Sequence, residues 1–299
     1  MNPLVSIIIP TYNRADDLEY ALESVIAQTY SNWEVWVIDN HSEDNTDDVV
    51  KGFNDSRIKL IKIHNEGLIA ASRNLGIEHS TGTYIAFLDS DDWWMPEKLE
   101  ESVKYLEQGL DIVYHDLLIV KKRNQKIFWK KAHAKDLKKP VFRDLLANGC
   151  ALMHSSVVLR KNVLVKAGGL PEDRDMNNWG DIYAWLCLAK HTDKFKKLPK
   201  AHGYYWLGGG NFTTPNRTIA AINRFESIFK GDIKDLNLDS IFWLDYTKGR
   251  LYYRMKLYEM ARENLELVSF QQAPFLIYVK TLWMLFLIRF TSKEIPFTK

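Results

Sequence analysis

An α/β fold is predicted: a Rossmann-like, mostly parallel sheet flanked by helices, with a helical C-terminal appendage. Three observations predict it. Short apolar, β-branched runs recur at 4–9, 33–38, 57–63 and 84–88, and the segments between them carry helical spacing. Strand and helix alternating in that rhythm imply right-handed βαβ crossovers and a sheet covered on both faces. From about Thr218 onward the pattern is helical throughout. The 299 residues, 46% hydrophobic and 26% charged, supply a core large enough for two units and exclude wholesale disorder, a collagen-like chain and a multi-span membrane protein.

Leu4 to Ile9 forms the first strand and ends at Pro10; Arg14 to Gln28 then sets Leu18, Ala21, Leu22 and Val25 on one helical face. Trp33 to Ile38 and Asp44 to Phe53 are the second strand and helix, Arg57 to Ile63 and Leu68 to His79 the third pair. Tyr84 to Leu88 is a fourth strand after the Thr81-Gly82 turn. Beyond Pro96 come a helix at Glu97 to Glu107, a strand across Ile112 to Val120, another at Ser155 to Arg160, a turn at Gly168-Gly169-Leu170-Pro171 and a helix at Asp181 to Lys190. A boundary near Pro215 separates residues 1–215, read as halves 1–108 and 109–215, from residues 216–299.

Forty basic residues against 38 acidic give +2, so nucleic acid is not expected as a partner. Cys150 and Cys187 are too few for a disulfide framework, and Met1-Asn2-Pro3 leads into a strand without a signal-peptide pattern. Together they point to a cytoplasmic location.

In a parallel sheet, ligands bind beyond the carboxyl ends of the strands, which nominates Pro10-Thr11-Tyr12-Asn13, Asp39-Asn40 and Asp89-Ser90-Asp91-Asp92. Three carboxylates in four residues repel one another, and a divalent cation relieves that conflict; oxygen ligands at this density suit Mg²⁺ or Mn²⁺. The other reading is a solvated acidic turn capping the next helix. Asp39 reads either as a base or ribose contact or as turn chemistry, with Ser42 and Asp44 as caps. Arg73, among Ala70, Ala71, Ser72 and Gly76, lies where small residues permit a close approach; a surface ion pair is its alternative.

Four segments occur in the order and at roughly the spacing of family 2 glycosyltransferases of the inverting GT-A type: Val5-Ser6-Ile7-Ile8-Ile9-Pro10-Thr11-Tyr12-Asn13-Arg14, Val37-Ile38-Asp39-Asn40-His41-Ser42-Glu43-Asp44-Asn45-Thr46, Ala71-Ser72-Arg73-Asn74-Leu75-Gly76 and Phe87-Leu88-Asp89-Ser90-Asp91-Asp92. The chain resembles that family closely over residues 4 to 108 and more weakly to about 215. The resemblance implies a nucleotide-sugar donor, UDP-linked by preference, and a saccharide or lipid-linked saccharide acceptor. Pro10, Thr11, Tyr12 and Arg14 would lie at the nucleoside, Asp39 at the base, Arg73 at ribose and phosphates. Asp89, Ser90 and Asp91 would form the DxD element, with Asp91 and Asp89 as metal ligands for Mn²⁺ or Mg²⁺ and Asp92 behind them.

Inverting transfer also needs a base for the acceptor hydroxyl. The family's Glu-Asp pair corresponds to Gly180-Asp181 here, so Asp181 is the expected catalytic base, with Asp173 and Asp175 in reserve. Its alternative is an acid favoured by a helix N-terminus. Many relatives carry an Arg and a His after the next strand; Tyr204-Tyr205-Trp206-Leu207-Gly208-Gly209-Gly210-Asn211 has no His, leaving His202 or no histidine at all for the metal. The three glycines imply a mobile loop able to close over donor and acceptor. Gly180 leaves a second function open, a catalytically silent nucleotide-sugar binding protein. A sugar nucleotidyltransferase would carry a Gly-rich loop after strand one, which Pro10-Thr11-Tyr12-Asn13 is not.

Lys121 to Lys139 interleaves Phe128 and Trp129 with nine cations, as a solvated hairpin, a contact for phosphate or an anionic surface, or an RNA contact. Phe275 to Ile288 is apolar around nearly the whole helical wheel, with Lys280 and Thr281 as a narrow polar stripe. At about 21 Å it falls short of the ~30 Å hydrocarbon core. Such a helix is buried in protein, packed in an oligomer, or laid into the interface of a cytoplasmic membrane face as a peripheral contact.

Overall fold

The computed structural model describes residues 2–291 except 124, 126, 150, 151, 209–213 and 239. It divides into two compact units, residues 1–142 with 150–211, and residues 143–149 with 212–299.

The first unit is built on β1 (Val5–Thr11), β2 (Trp33–Asp39), β3 (Ile58–Lys62) and β4 (Tyr84–Phe87), separated by α1 (Ala15–Ile26), α2 (Thr46–Gly52) and α3 (Ile69–His79). These strands are parallel in the order β4-β1-β2-β3. All of β2, and all of β1 except Pro10, is buried, as expected of parallel strands covered on both faces. The register sets Thr11 opposite Asp39, so the two strand ends nominated by the sequence lie side by side. Leu18, Ala21, Leu22 and Val25 form the buried face of α1. Helix α3 comes so close to β1 that a Cβ on Gly76 would stand 2.5 Å from Ile8 Cγ2; glycine is required there by contact.

The second half departs from expectation in two places. The run Ile112 to Val120 is not one strand. After β5 (Trp93–Trp94) and α4 (Lys98–Glu107), β6 (Ile112–Tyr114) joins the first sheet, while β7 (Leu117–Val120) joins a four-stranded sheet ordered β5-β11-β7-β8 with β8 (Lys131–Ala132) and β11 (Gly203–Trp206). His115-Asp116 makes the corner, and the Asp116 carboxylate fixes it by accepting from Ala134 N at 2.9 Å and pairing with Lys197 at 2.9 Å. Both segments are apolar, so periodicity does not reveal the change of sheet. The second departure is Ser155 to Arg160, where a 3₁₀ turn over His154–Ser156 precedes β9 (Val158–Arg160), antiparallel to β4 and β6. Helix α6 (Lys161–Ala167) is not anticipated by the sequence, nor is α5 (Val141–Asn148), which falls mostly in the second unit; α7 (Gly180–Ala189) and β10 (Phe195–Lys197, parallel to β6) complete the first.

Glu34 on β2 ties the unit's lower edge. Its carboxylate accepts from Ser6 Oγ (2.7 Å), Thr81 N (2.7 Å) and Thr81 Oγ1 (2.9 Å). Burial pushes its pKa upward, but these hydrogen bonds prevail and hold it down to about 2. Glu34→Gln is therefore expected to cost about 2 kcal/mol at neutral pH, from the lost charge-assisted bonds. Because the folded pKa is depressed, the stabilisation is present above the ordinary carboxylate value and fades as pH falls from about 4.5 toward about 2. Urea midpoints of the two proteins should converge over that interval; a constant gap would sink the assignment.

The second unit contains α8 (Pro215–Asp235), α9 (Phe242–Arg254), α10 (Tyr258–Glu266) and α11 (Phe275–Thr291). Thr214 caps α8 by accepting from Arg217 N, with Pro215 in the first turn. On α11, Thr281 is not part of an exposed stripe: it is 1% exposed, and its hydroxyl donates to the Ile277 carbonyl at 2.9 Å. Among the described residues no helix is long and apolar enough to cross a membrane.

Candidate active site

The site is assembled at the carboxyl ends of β1, β2 and β4, all within the first unit. Thr11 is 5% exposed, and its Oγ1 is buried without a hydrogen-bond partner among the described residues. Tyr12 beside it is 54% exposed, its ring open to solvent. Asn13 adopts φ 50°, donates from its backbone N to Ser42 Oγ (2.8 Å) and accepts from Glu43 N (2.8 Å), lacing the loop after β1 to the loop after β2. Asp39 is fully buried; it accepts from Ser42 N (3.0 Å) and the Ser42 hydroxyl, and Lys62 Nζ stands 3.4 Å away. Ser42 braces Asp39 rather than α2, whereas Asp44 serves two helix starts: it accepts from Thr46 N (3.1 Å) in the first turn of α2 and from Ala15 N (2.9 Å) in that of α1.

After β4 the DSDD turn separates its acids by environment. Asp89 pairs with Arg73 Nη2 at 2.7 Å, and Asp91 with Arg14 Nη1 at 3.2 Å, a guanidinium nitrogen that also reaches Asp17 at 3.1 Å. Burial, then the charge of Asp89, raise the Asp91 pKa to about 6 against the pull of Arg14. Asp92 is 1% exposed, accepts from Trp206 N (3.0 Å) and is pushed well above the ordinary range by burial, then by Asp91 and Asp89. It anchors β11 beneath the turn. Ser90 is buried, and Pro10 half-buried. Arg73 is 7% exposed, and its Nε has no hydrogen-bond partner among the described residues. Buried polar atoms are rarely left unsatisfied; Thr11 Oγ1 and Arg73 Nε are two such atoms among the described residues, and both belong to elements that end at this site.

Asp181 stands in the first turn of α7. His154 Nδ1 lies 2.6 Å from its Oδ1, and His154 N donates to Oδ2 at 3.3 Å. Burial opposes its ionisation, but His154, then Arg73, hold its pKa below the usual carboxylate range. His154 is 1% exposed, wedged between Phe87 (5.2 Å) and Trp185 (4.9 Å). Arg73, His154 and Gly180 line one recess together with Asp173, whereas Asp175 is exposed. Among the described residues, apart from its chain neighbours and its own helix backbone, no atom lies within 4 Å of a Cβ placed on Gly180. The recess is closed by the segment before α7, through Asn74 to Leu170 O (2.8 Å) and Asn177 to Gly67 O (2.7 Å).

Three participants were not singled out from the sequence. His154 carries no motif signal of its own, since its role depends on contact with Asp181, 27 positions away. Ser155 accepts from Asp89 N at 3.1 Å. Tyr205 has its pKa raised by burial, then by Asp92, Asp91, Asp89 and Asp181, which places its hydroxyl in the field of both acidic groups. His202 lies elsewhere: it is 7% exposed and packs edge-on against His115 at 5.5 Å. In register it precedes Gly203, opposite Trp94, while Trp206 at the other end of β11 meets Asp92. The expected closing loop falls largely outside the described residues, at Gly209 and Gly210. In the basic tract, Arg123 pairs with Asp17 and lies over the Tyr20 ring at 4.0 Å, so this cation is engaged rather than solvated.

Residues 6–166, more than half of the chain, match the model of glycosyl transferase family 2. The chain belongs to that family. This glycosyltransferase is 36% identical over 191 residues to Escherichia coli WfgD, a UDP-Glc:alpha-D-GlcNAc-diphosphoundecaprenol beta-1,3-glucosyltransferase, covering 64% of this chain and 71% of WfgD. A putative teichuronic acid biosynthesis glycosyltransferase of Bacillus subtilis, TuaG, is 38% identical over 106 residues, which is 35% of this chain and 42% of TuaG. Among solved structures, S. aureus TarS 1-349 aligns over 95% of this glycosyltransferase and 80% of that chain, with TM-score 0.59 and 18% identity. The Pyrobaculum calidifontis mannosyltransferase PcManGT, in complex with GDP-Man and Mn²⁺, aligns over 98% and 84% with TM-score 0.56 and 19% identity. These two likenesses establish the GT-A fold.

The acidic turn fits a divalent cation in its chemistry. Asp89 and Asp91 offer hard oxygens, and part of what raises the Asp91 pKa, after burial, is the repulsion from Asp89 that a cation would relieve. Among the described residues no three or more His, Cys, Asp or Glu side chains form a complete ligand set.

Proposed function

We propose that this glycosyltransferase moves a sugar from a UDP-linked donor, with inversion, to a lipid-linked saccharide in surface polysaccharide synthesis at the cytoplasmic face of a membrane. The observation that carries the reading is the meeting, in one unit, of two unsatisfied polar atoms (Thr11 Oγ1, Arg73 Nε), a DSDD turn and a carboxylate held by His154. WfgD supports the donor and acceptor classes by what it acts on, and TarS by its complex with UDP-GlcNAc. Pro10, Thr11 and Tyr12 receive the nucleoside, Asp39 shapes the base end, and Arg14, Arg73 and Ser90 border the diphosphate. Asp89 and Asp91 would hold Mn²⁺ or Mg²⁺, which supplies charge neutralisation of the departing diphosphate, with donor phosphates and water completing its shell. Asp181 takes the proton of the acceptor hydroxyl as that oxygen bonds to the anomeric carbon; the bond from that carbon to the diphosphate oxygen breaks.

A silent binding protein remains the second reading because Gly180 stands in place of a Glu. Asp181 retained and braced by His154 favours catalysis. The test is nucleotide release from UDP- and GDP-sugars with Mn²⁺, with and without a diphosphate-linked GlcNAc acceptor. UDP-sugar turnover that depends on acceptor is expected; tight donor binding without transfer across an acceptor panel would leave the silent reading standing.

A further inference from the structure

Helix α11 turns two apolar stripes toward two environments. Ile277, Tyr278, Met284 and Leu285 pack half-buried against apolar clusters of the second unit, and Ile288 is 1% exposed. On the opposite side Leu276, Val279, Leu282, Trp283, Phe286 and Phe290 are each between 44% and 70% exposed. At the helical angle of about 100° per residue, these six side chains fill an arc of about 120°. Lys280 lies about 40° beyond one border and Arg289 about 20° beyond the other, and both are exposed. From Val268 to Lys293 the chain has no Asp or Glu.

We propose that this face of α11 lies in the interfacial region of an anionic bilayer, the helix in the membrane plane and Lys280 and Arg289 reaching the phosphate layer from its two edges. An exposed apolar stripe of this extent marks an interaction surface. Its composition selects lipid. Trp and Phe suit the headgroup boundary, and cations bordering an apolar arc bury their stems while their charges reach anionic phosphate. A second copy seated on the same face would crowd Lys280 and Arg289 against their counterparts with no carboxylate on the stretch to pair them. The purpose of such docking, presentation of a lipid-linked acceptor, rests on the proposed function; the contact itself does not.

The test is co-sedimentation of the full chain with vesicles of phosphatidylcholine alone or mixed with phosphatidylglycerol. Binding to the mixed vesicles is expected to be about 10- to 30-fold tighter, the gain from two cations near anionic lipid, and to weaken with salt. Combined Leu282→Ser, Trp283→Ser and Phe286→Ser should abolish it without lowering the Tm, since all three are exposed. Absence of wild-type binding, or equal binding by the triple variant, overturns the proposal. So does a wild-type dimer that vesicles leave intact and the triple variant converts to monomer, which would assign the face to a second copy. Transfer to a water-soluble acceptor is measured in parallel. If neither protein transfers while the vesicle result holds, the proposed function fails and the membrane contact stands.

Discussion

Asp181→Asn is expected to lower kcat by about 10²-fold or more while leaving donor affinity within about twofold. Asparagine keeps the shape, and its carbonyl oxygen still accepts from His154; what disappears is the charge that receives the acceptor's proton. In the wild-type protein His154 and Arg73 hold the carboxyl below its usual range, so the basic form is populated throughout the neutral region at some expense in basicity. His154 accordingly acts by position. His154→Gln, which retains a donor at the same reach, should lose about tenfold in kcat with little change in donor KM, the signature of a misplaced base rather than a damaged donor site. Donor titration by calorimetry beside acceptor-dependent nucleotide release separates these effects. Near-normal turnover in Asp181→Asn would pass the role to Asp173, which lines a recess with His154 and Gly180, before the exposed Asp175.

The parts of this site legible in the sequence are those written locally. Alternating apolar runs and amphipathic segments disclose β1 to β4, and parallel strands discharge their loops at one edge, so Thr11, Asp39 and Asp89 are named by position alone. The arginines and Asp181 needed the family resemblance, because nothing in a single Arg or a helix-start Asp distinguishes function from ordinary surface chemistry. What stayed hidden depends on contacts distant in sequence. Arg14 meets Asp91, Trp206 N meets Asp92 and His154 meets Asp181 only through the folded chain, and no local pattern announces any of them. The corner at His115-Asp116 was hidden for the same reason, since two buried strands in different sheets read as one apolar run. The aromatic residues divide likewise: Trp94 and Trp185 are core, each donating its indole N–H to a backbone carbonyl at 2.7 Å, whereas Trp93 stacks on Tyr204 at 5.6 Å beside the acidic turn.

Asp91→Ala should reverse the effect of metal on donor binding. With Mn²⁺ present, loss of one of two carboxylate ligands is expected to weaken UDP-sugar binding by at least about tenfold, no less than the loss of a residue that only supports a metal ligand typically costs. With the metal chelated, the same variant should bind UDP no worse than wild type. The removed carboxylate repels a diphosphate, and the Arg14 guanidinium, released from Asp91, turns more of its charge toward the phosphates. A general structural defect would weaken binding in both conditions, so the sign of the change without metal decides between them. pH adds an independent check. The burial, and then the repulsion from Asp89, that lift Asp91 to about 6 mean that its carboxyl takes up a proton as pH falls through that value. A protonated carboxyl is a poor metal ligand, so Mn²⁺-supported binding should decline below about pH 6 in wild type. The chelated protein should show no such decline, and a metal effect that is flat from pH 7 to 5 would remove Asp91 from the ligand set.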